Sequence, residues 1–265
     1  MIVIGEKINI SFKTVRNAVE LRDTAAIQDL AKKQCEAGAT YIDLNAGISC
    51  KDEAERMEWL VNTVQEVADT PFSIDSPNVS TLKAGLKANR NPKPVINSIT
   101  GEERRFQAVM PLILQYNTGV IALCMDDSGM PETVEDRVLI AGRLIDRLTR
   151  EGVALGDIYI DPMVRPVASH SRYGMDSIET IYRVKEEFPE VHIACGLSNI
   201  SFGIPQRKVM NHAFLIAAMT AGMDGAIMDP LDKKLMSLVY AGEALLGRDS
   251  FCMNYLMKCR EGLLE

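Results

Sequence analysis

Val191-His192-Ile193-Ala194-Cys195-Gly196-Leu197-Ser198-Asn199-Ile200-Ser201-Phe202-Gly203-Ile204-Pro205-Gln206-Arg207 joins an apolar run to a polar, uncharged loop. The run Val191–Cys195 reads as a buried strand, and Lys208–Ala221 beyond the loop reads as a helix. Glycines let backbone N–H groups approach a ligand closely. The serines and the asparagine supply donors and acceptors that stay neutral at any working pH. A loop of this kind at the C-terminal end of a buried strand is where α/β enzymes keep their chemistry. An ordinary strand–helix connection punctuated by Gly and Pro has the same composition, so the rest of the chain decides.

The same unit recurs in both directions. Toward the N-terminus, short apolar runs at Val3–Ile4, Thr40–Leu44, Phe72–Ile74, Pro94–Asn97, Val120–Cys124 and Ile158–Ile160 alternate with helical patterns at Ala25–Ala37, Asp52–Ala68, Ser80–Ala88, Glu103–Tyr116, Thr133–Glu151 and Met175–Glu187. Gly38 reads as a helix stop and Asp52 as a helix cap. Toward the C-terminus, Ala226–Met228 is followed by Lys233–Leu246. The runs lack clean alternation, as parallel strands buried on both faces do. Eight strand–helix units predict an α/β chain closed as a single-domain (β/α)8 TIM barrel over residues 1–250. The tail 251–265, with Phe251, Tyr255, Leu256 and Leu263, is expected to pack on the barrel or at a subunit interface.

Composition narrows the function classes. The chain has 265 residues and a net charge of −7, which argues against non-specific binding to nucleic acid. It contains no apolar run long enough to span a bilayer, and its start lacks the basic region and apolar core of a signal peptide. Cysteines at 35, 50, 124, 195, 252 and 259 show no C-x-x-C spacing and do not group with His170, His192 or His212. Neither a zinc site nor a disulfide framework is expected, and free thiols suit a cytoplasmic protein. The 14 methionines read mainly as core filling.

A barrel should collect functional groups where strands end. Glu6-Lys7-Ile8-Asn9, Asp43-Leu44-Asn45, Asp75-Ser76-Pro77, Asn97-Ser98, Asp126-Asp127, Asp161-Pro162, Gly196–Arg207 and Asp229-Pro230 all fall there. Taken singly, Asp and Asn after a strand are also helix caps and turn formers, and Asp229 and Asp126-Asp127 fit that use. No histidine lies at a strand end, which argues against a transition-metal site, while isolated carboxylates leave magnesium open. No Gly-rich phosphate-binding motif is present. Carboxylates with asparagines suit a neutral heterocycle rich in N–H donors, such as a pterin.

Ile4-Gly5-Glu6-Lys7-Ile8-Asn9, Ile42-Asp43-Leu44-Asn45, Ser73-Ile74-Asp75-Ser76, Val95-Ile96-Asn97-Ser98, Ile160-Asp161-Pro162, Gly196-Leu197-Ser198-Asn199-Ile200-Ser201 and Met228-Asp229-Pro230-Leu231 occur in this order along nearly the whole chain. The set resembles the pterin-binding methyltransferases: the methyltetrahydrofolate–corrinoid protein methyltransferases and the folate domain of cobalamin-dependent methionine synthase. The resemblance implies transfer of a methyl group between the ring nitrogen of methyltetrahydrofolate and the cobalt of a corrinoid, in either direction, by in-line displacement at the barrel mouth. It implies that Asp75, Asn97 and Asp161 hydrogen-bond the pterin ring and that Gly196 and Ser198 lie beside it. Asn199 would reach the nitrogen that carries the methyl group and act as the catalytic residue. Ser201-Phe202-Gly203 is similar to the methionine synthase version; the acetogen version is expected to carry a glutamine near position 202. Glu6, Lys7, Asp43 and Asn45 are candidates for orienting loops or forming an ion pair deep in the mouth, and Arg207 for meeting the folate tail or a partner. The chain lacks the D-x-H-x-x-G pattern of a cobalamin domain. The corrinoid is therefore expected free or on a partner corrinoid protein, and the resemblance implies a homodimer. A dihydropteroate synthase-like enzyme, or a non-catalytic folate-binding subunit, are the alternatives.

Overall fold

The apolar runs close into a barrel. A computed structural model describes residues 1–47 and 52–265. All eight strands are parallel, in the order β1 to β8, and β8 pairs with β1. The strands are β1 (Ile2–Asn9), β2 (Tyr41–Asn45), β3 (Phe72–Asp75), β4 (Val95–Thr100), β5 (Gly119–Leu123), β6 (Ile158–Asp161), β7 (His192–Gly196) and β8 (Gly225–Met228). Around them run α1 (Lys13–Glu20), α2 (Thr24–Glu36), α3 (Glu53–Gln65), α4 (Val79–Ala88), α5 (Glu103–Tyr116), α6 (Val134–Arg150), α7 (Tyr173–Glu187), α8 (Arg207–Ala221), α9 (Lys233–Leu245) and α10 (Met253–Arg260).

Register, more than sequence spacing, assembles the mouth. Asn45 sits beside Asp75, and Asp75 beside Asn97, on three adjacent strands. Leu123 is the partner of Asp161 across β5 and β6. Helices pack their buried stripes on the outside of the sheet, as Leu60, Val61 and Val64 of α3 and Leu144, Ile145 and Leu148 of α6 do. The opposite end of the barrel is filled by Ile4, Val95, Ile121, Tyr159 and Ala194.

Several local expectations change. β1 continues through Glu6 and Lys7 to Asn9, with an irregularity in its pairing to β2 between Gly5 and Ile8. Helix α1 is an addition to the expected elements; Val15, Ala18 and Val19 bury one face of it at helical spacing. Asp52 stands at the start of α3, but its carboxylate pairs with Arg56 at 2.7 Å and does not cap the helix. Asp23 and Thr133 do cap, accepting from Ala26 N and Asp136 N. Gly38 ends α2 as expected, at φ +97°, a conformation that favours glycine. In the tail, α10 lies against α9 and Glu265 N donates to Ser237 Oγ, while Phe251 is 93% exposed. Cys50 lies outside the described residues; the other five cysteines are free thiols. Among the described residues no helix is long and apolar enough to cross a membrane.

Candidate active site

The C-terminal ends of the strands enclose a cavity of about 460 Å³. Of the expected residues, Glu6, Asp43, Asp75, Asn97, Gly196, Ser198, Asn199 and Arg207 line it. The carboxylates lie on β1, β2 and β3, Asn97 on β4, and the neutral loop after β7 stands across from them.

On the β2–β4 side the groups hold one another. Asp43 Oδ1 accepts from Ser73 Oγ at 2.6 Å and from Asn97 Nδ2 at 3.3 Å. Asp75 Oδ2 accepts from Asn45 Nδ2 at 2.7 Å, and Asn45 Oδ1 accepts from Gly47 N at 2.9 Å. Asn45 thus aims Asp75 without itself lining the cavity. Burial pushes the Asp75 carboxyl up to about 6, against the opposing bond from Asn45. Burial, with the neighbouring Asp75 charge, holds Asp43 well above the usual carboxylate range. Both effects disfavour a charged, poorly solvated carboxylate. An N–H donor arriving from a ligand would reverse them.

The β1–β8 side behaves differently. Glu6 is pushed up to about 7, first by burial and then by the Asp229 carboxylate. Lys7 pairs with Asp229 at 3.0 Å, so the ion pair expected at this strand end joins β1 to the β8 loop. Asp229 Oδ1 also accepts from Leu231 N, a turn use, while the cap of α9 is Asp232, which accepts from Leu235 N. Asp126 is likewise a turn former, accepting from Ser128 N.

Residues Leu197–Ser201 form one 3-10 turn that presents Ser198 and Asn199 to the cavity. Gly196 stands just before it, and a Cβ there would crowd the Asn199 amide, at 3.0 Å from Nδ2. Asp161 does not line the cavity. Its Oδ1 accepts from Met163 N at 2.7 Å and its carboxylate also takes the Gly196 N–H. Burial pushes it up to about 6. Its position therefore joins the end of β6 to the start of the loop after β7. Ser201 is buried beneath that loop, donating to Ser198 O and accepting from Arg207 Nε at 3.1 Å. Arg207 Nη2 also donates to Ser198 O at 2.7 Å. Phe202 is 66% exposed, outside the cavity, with the Arg207 guanidinium 5.9 Å from its ring centroid.

Sequence reasoning missed part of the outer wall. Beside Asn9, expected at the end of the first strand, Ser11 and Phe12 enter from the β1–α1 connection, and Lys208, Asn211 and Asp232 from α8 and the start of α9. Asn211 follows Arg207 by one helical turn, a spacing that would have flagged it. Its Oδ1 is buried without a hydrogen-bond partner among the described residues. Lys208 pairs with Asp232 at 3.0 Å.

Known proteins are similar to this chain along most of its length. The chain is 38% identical over 264 residues to Methylcorrinoid:tetrahydrofolate methyltransferase of Eubacterium limosum, covering 99% of this chain and 97% of that one. It is 34% identical over 241 residues to methionine synthase of Mycobacterium tuberculosis, covering 86% of this chain but only 20% of that protein's length. Among solved structures, Yersinia pestis DHPS with a pterine-sulfa conjugate superposes with a TM-score of 0.67 at 16% identity, over 93% of this chain and 94% of that chain. Dihydropteroate synthase of Thermus thermophilus gives 0.63 at 18%, over 83% and 87%. At such identities these likenesses speak for the fold alone. The pterin binding enzyme model matches residues 5–229, which run from β1 to the Asp229 turn and include the carboxylate side, the loop after β7 and the first helix behind it; the chain belongs to the pterin binding enzyme family.

Proposed function

We propose that this protein is a tetrahydrofolate–corrinoid methyltransferase that moves a methyl group between the pterin ring nitrogen and the cobalt of a corrinoid. The observation that carries the reading is the convergence of Asp75, Asn97 and Asn199 on one cavity, in a chain 38% identical to a methylcorrinoid:tetrahydrofolate methyltransferase along 97% of its length. Asp75 and Asn97 offer acceptors and a donor to the edge of a flat heterocycle, and Asn45 and Asp43 fix their orientation. Asp161 acts on the loop through Gly196 N and on the ring edge if the ring reaches β6. Glu6, Asp43 and Asn45 organise the mouth; Ser201 and Arg207 brace the loop.

Methyl transfer from a tertiary amine needs positive charge on the nitrogen before the carbon–nitrogen bond breaks. The corrinoid supplies the cobalt that gives or takes the methyl group. Asn199 does not titrate, so it serves as an acceptor: its carbonyl stabilises the N–H of the protonated amine as charge develops. The rigid turn at Leu197–Ser201 and the bare Cα of Gly196 place that amide. Arg207 and Lys208 border the cavity, but the first is engaged by Ser198 O and Ser201 and the second by Asp232. That arrangement favours a pterin without a diphosphate over the synthase reading.

The corrinoid arrives free or on a partner corrinoid protein, and the protein works as a cytoplasmic homodimer; exposed Leu245, Phe251 and Met253 support association with a second copy. Single-turnover mixing with methylcobalamin and tetrahydrofolate tests the activity. Methyltetrahydrofolate should form. Tight folate binding with no methyl transfer to or from any corrinoid would mark a non-catalytic folate-binding subunit instead.

A further inference from the structure

We propose that Arg105 is the positioning residue of the pterin-recognition edge: its guanidinium ties together the backbone just beyond Asp75 and Asn97 and so sets where those two side chains stand. The proposal rests on the pterin reading of the cavity.

Arg105 lies in the first turn of α5, where a cation opposes the helix dipole. Its contacts offset that cost. Nε and Nη2 donate to Ser98 O at 3.1 and 2.6 Å, Nη2 also donates to Ser76 O at 3.0 Å, and Nη1 donates to Pro77 O. These carbonyls belong to the residues that follow Asn97 and Asp75. The two strands are already joined there, since Asp75 and Asn97 are register partners and Ser76 N donates to Asn97 O at 3.0 Å. Beyond that rung β3 ends, and Arg105 takes over as the cross-link. Glu53 of α3 holds the same segment from the other side, accepting from Ser76 Oγ and from Asn78 Nδ2. The end of β3 is thus gripped by its side chain from α3 and by its carbonyls from α5.

Only a planar fork reaches three carbonyls at once; a lysine ammonium is a point charge on a flexible stem. Arg105 is also the cation that draws down the proton affinity of Asp75. The acids facing Asp75 are Asp43 on β2 and Glu53 on α3, with Asn45 donating to it, and Glu102 faces Arg105 itself. Charge and fork can therefore be separated by substitution. Arg105→Lys keeps the charge and loses the fork; Arg105→Met loses both.

The test is calorimetric titration of tetrahydrofolate into the wild type and both variants from pH 5.5 to 8, with urea unfolding to check folding. Both variants should bind about tenfold or more weakly at pH 8. Only Arg105→Met should move the pH midpoint of binding upward. A merely structural arginine would lower the unfolding midpoint without moving that profile. Wild-type affinity and an unmoved profile in Arg105→Met overturn the inference alone. If that variant does not fold, Arg105→Lys at wild-type affinity overturns it just as well. A wild-type protein that does not bind tetrahydrofolate overturns the functional reading and the inference together.

Discussion

Replacing Glu6 by glutamine should stabilise the ligand-free protein, and only above neutral pH. Burial carries the Glu6 carboxyl from its ordinary 4.5 up to about 7, helped by the Asp229 carboxylate and opposed by Lys7 and Arg207. The folded state therefore holds the proton that the unfolded chain releases between pH 4.5 and about 7. Stability falls as the pH rises through that window, the reverse of a salt-bridged carboxylate. At about 1.4 kcal/mol per pH unit the full penalty is about 3 kcal/mol, reached above pH 7. Glutamine keeps the volume and carries no charge, so it escapes the penalty. Urea unfolding of wild type and Glu6→Gln, followed by circular dichroism at pH 4.5 and pH 8, reads this directly. The variant should be more stable by about 3 kcal/mol at pH 8 and equal to wild type at pH 4.5. The corresponding rise in Tm at pH 8 is roughly 6 °C or more for a domain of this size. A gain of equal size at both pH values would assign it to packing and refute the electrostatic account; a loss at pH 8 would refute it outright.

Other outcomes follow from the same geometry. Asn199→Ala should lower single-turnover methyl transfer by about 100-fold while the calorimetric affinity for tetrahydrofolate changes far less; equal losses in both would make Asn199 a binding residue. Gly196→Ala puts a methyl group 3.0 Å from Asn199 Nδ2, so it should reproduce much of that kinetic defect with a near-normal unfolding midpoint. Asp75→Ala should weaken tetrahydrofolate binding by about tenfold to 100-fold, the worth of a charge-assisted hydrogen bond, with unchanged affinity contradicting its role. Because Asp75 titrates at about 6 in the empty cavity, wild-type affinity should drop as pH falls below that value, and the drop should be absent in Asp75→Asn.

Much of the fold was legible because a buried parallel strand announces itself. The eight apolar runs needed no partner to be recognised, and all eight became strands. The exceptions have local causes. β1 extends past its apolar start because Glu6 lines the mouth and Lys7 pairs with Asp229, and polar side chains on a strand mask its length. Helix α1 buries only Val15, Ala18 and Val19, too short a stripe to stand out against the adjacent polar turn. At the site, strand-end residues were legible because topology alone brings strand ends together. What sequence could not supply is which of them faces the cavity and which holds another in place. Asn45, Asp161 and Arg105 differ from Asp75 in that respect only through register and distance.

The two ends of the barrel make opposite use of buried polar groups. At the closed end Tyr159 stacks on His192, His192 Nδ1 meets Asp224 at 3.0 Å, and Lys185 completes the pair at 3.0 Å. There a carboxylate is held low, by bonds from His192, Ile193 N and Lys185 that outweigh its burial. At the open end the cavity-lining Glu6, Asp75 and Asp43 are all pushed up. Buried carboxylates short of donors destabilise an empty protein. They become useful when a ligand brings the donors, because its N–H groups then meet acceptors whose charge burial has left poorly solvated. The mouth is thus left short of donors on the side where the ring edge would lie, while the loop at Gly196–Ser201 is fully braced by Asp161, Ser201 and Arg207. On the proposed reading, recognition calls for unmet acceptors and catalysis for a fixed amide, and the barrel keeps the two sets of groups on opposite walls of one cavity.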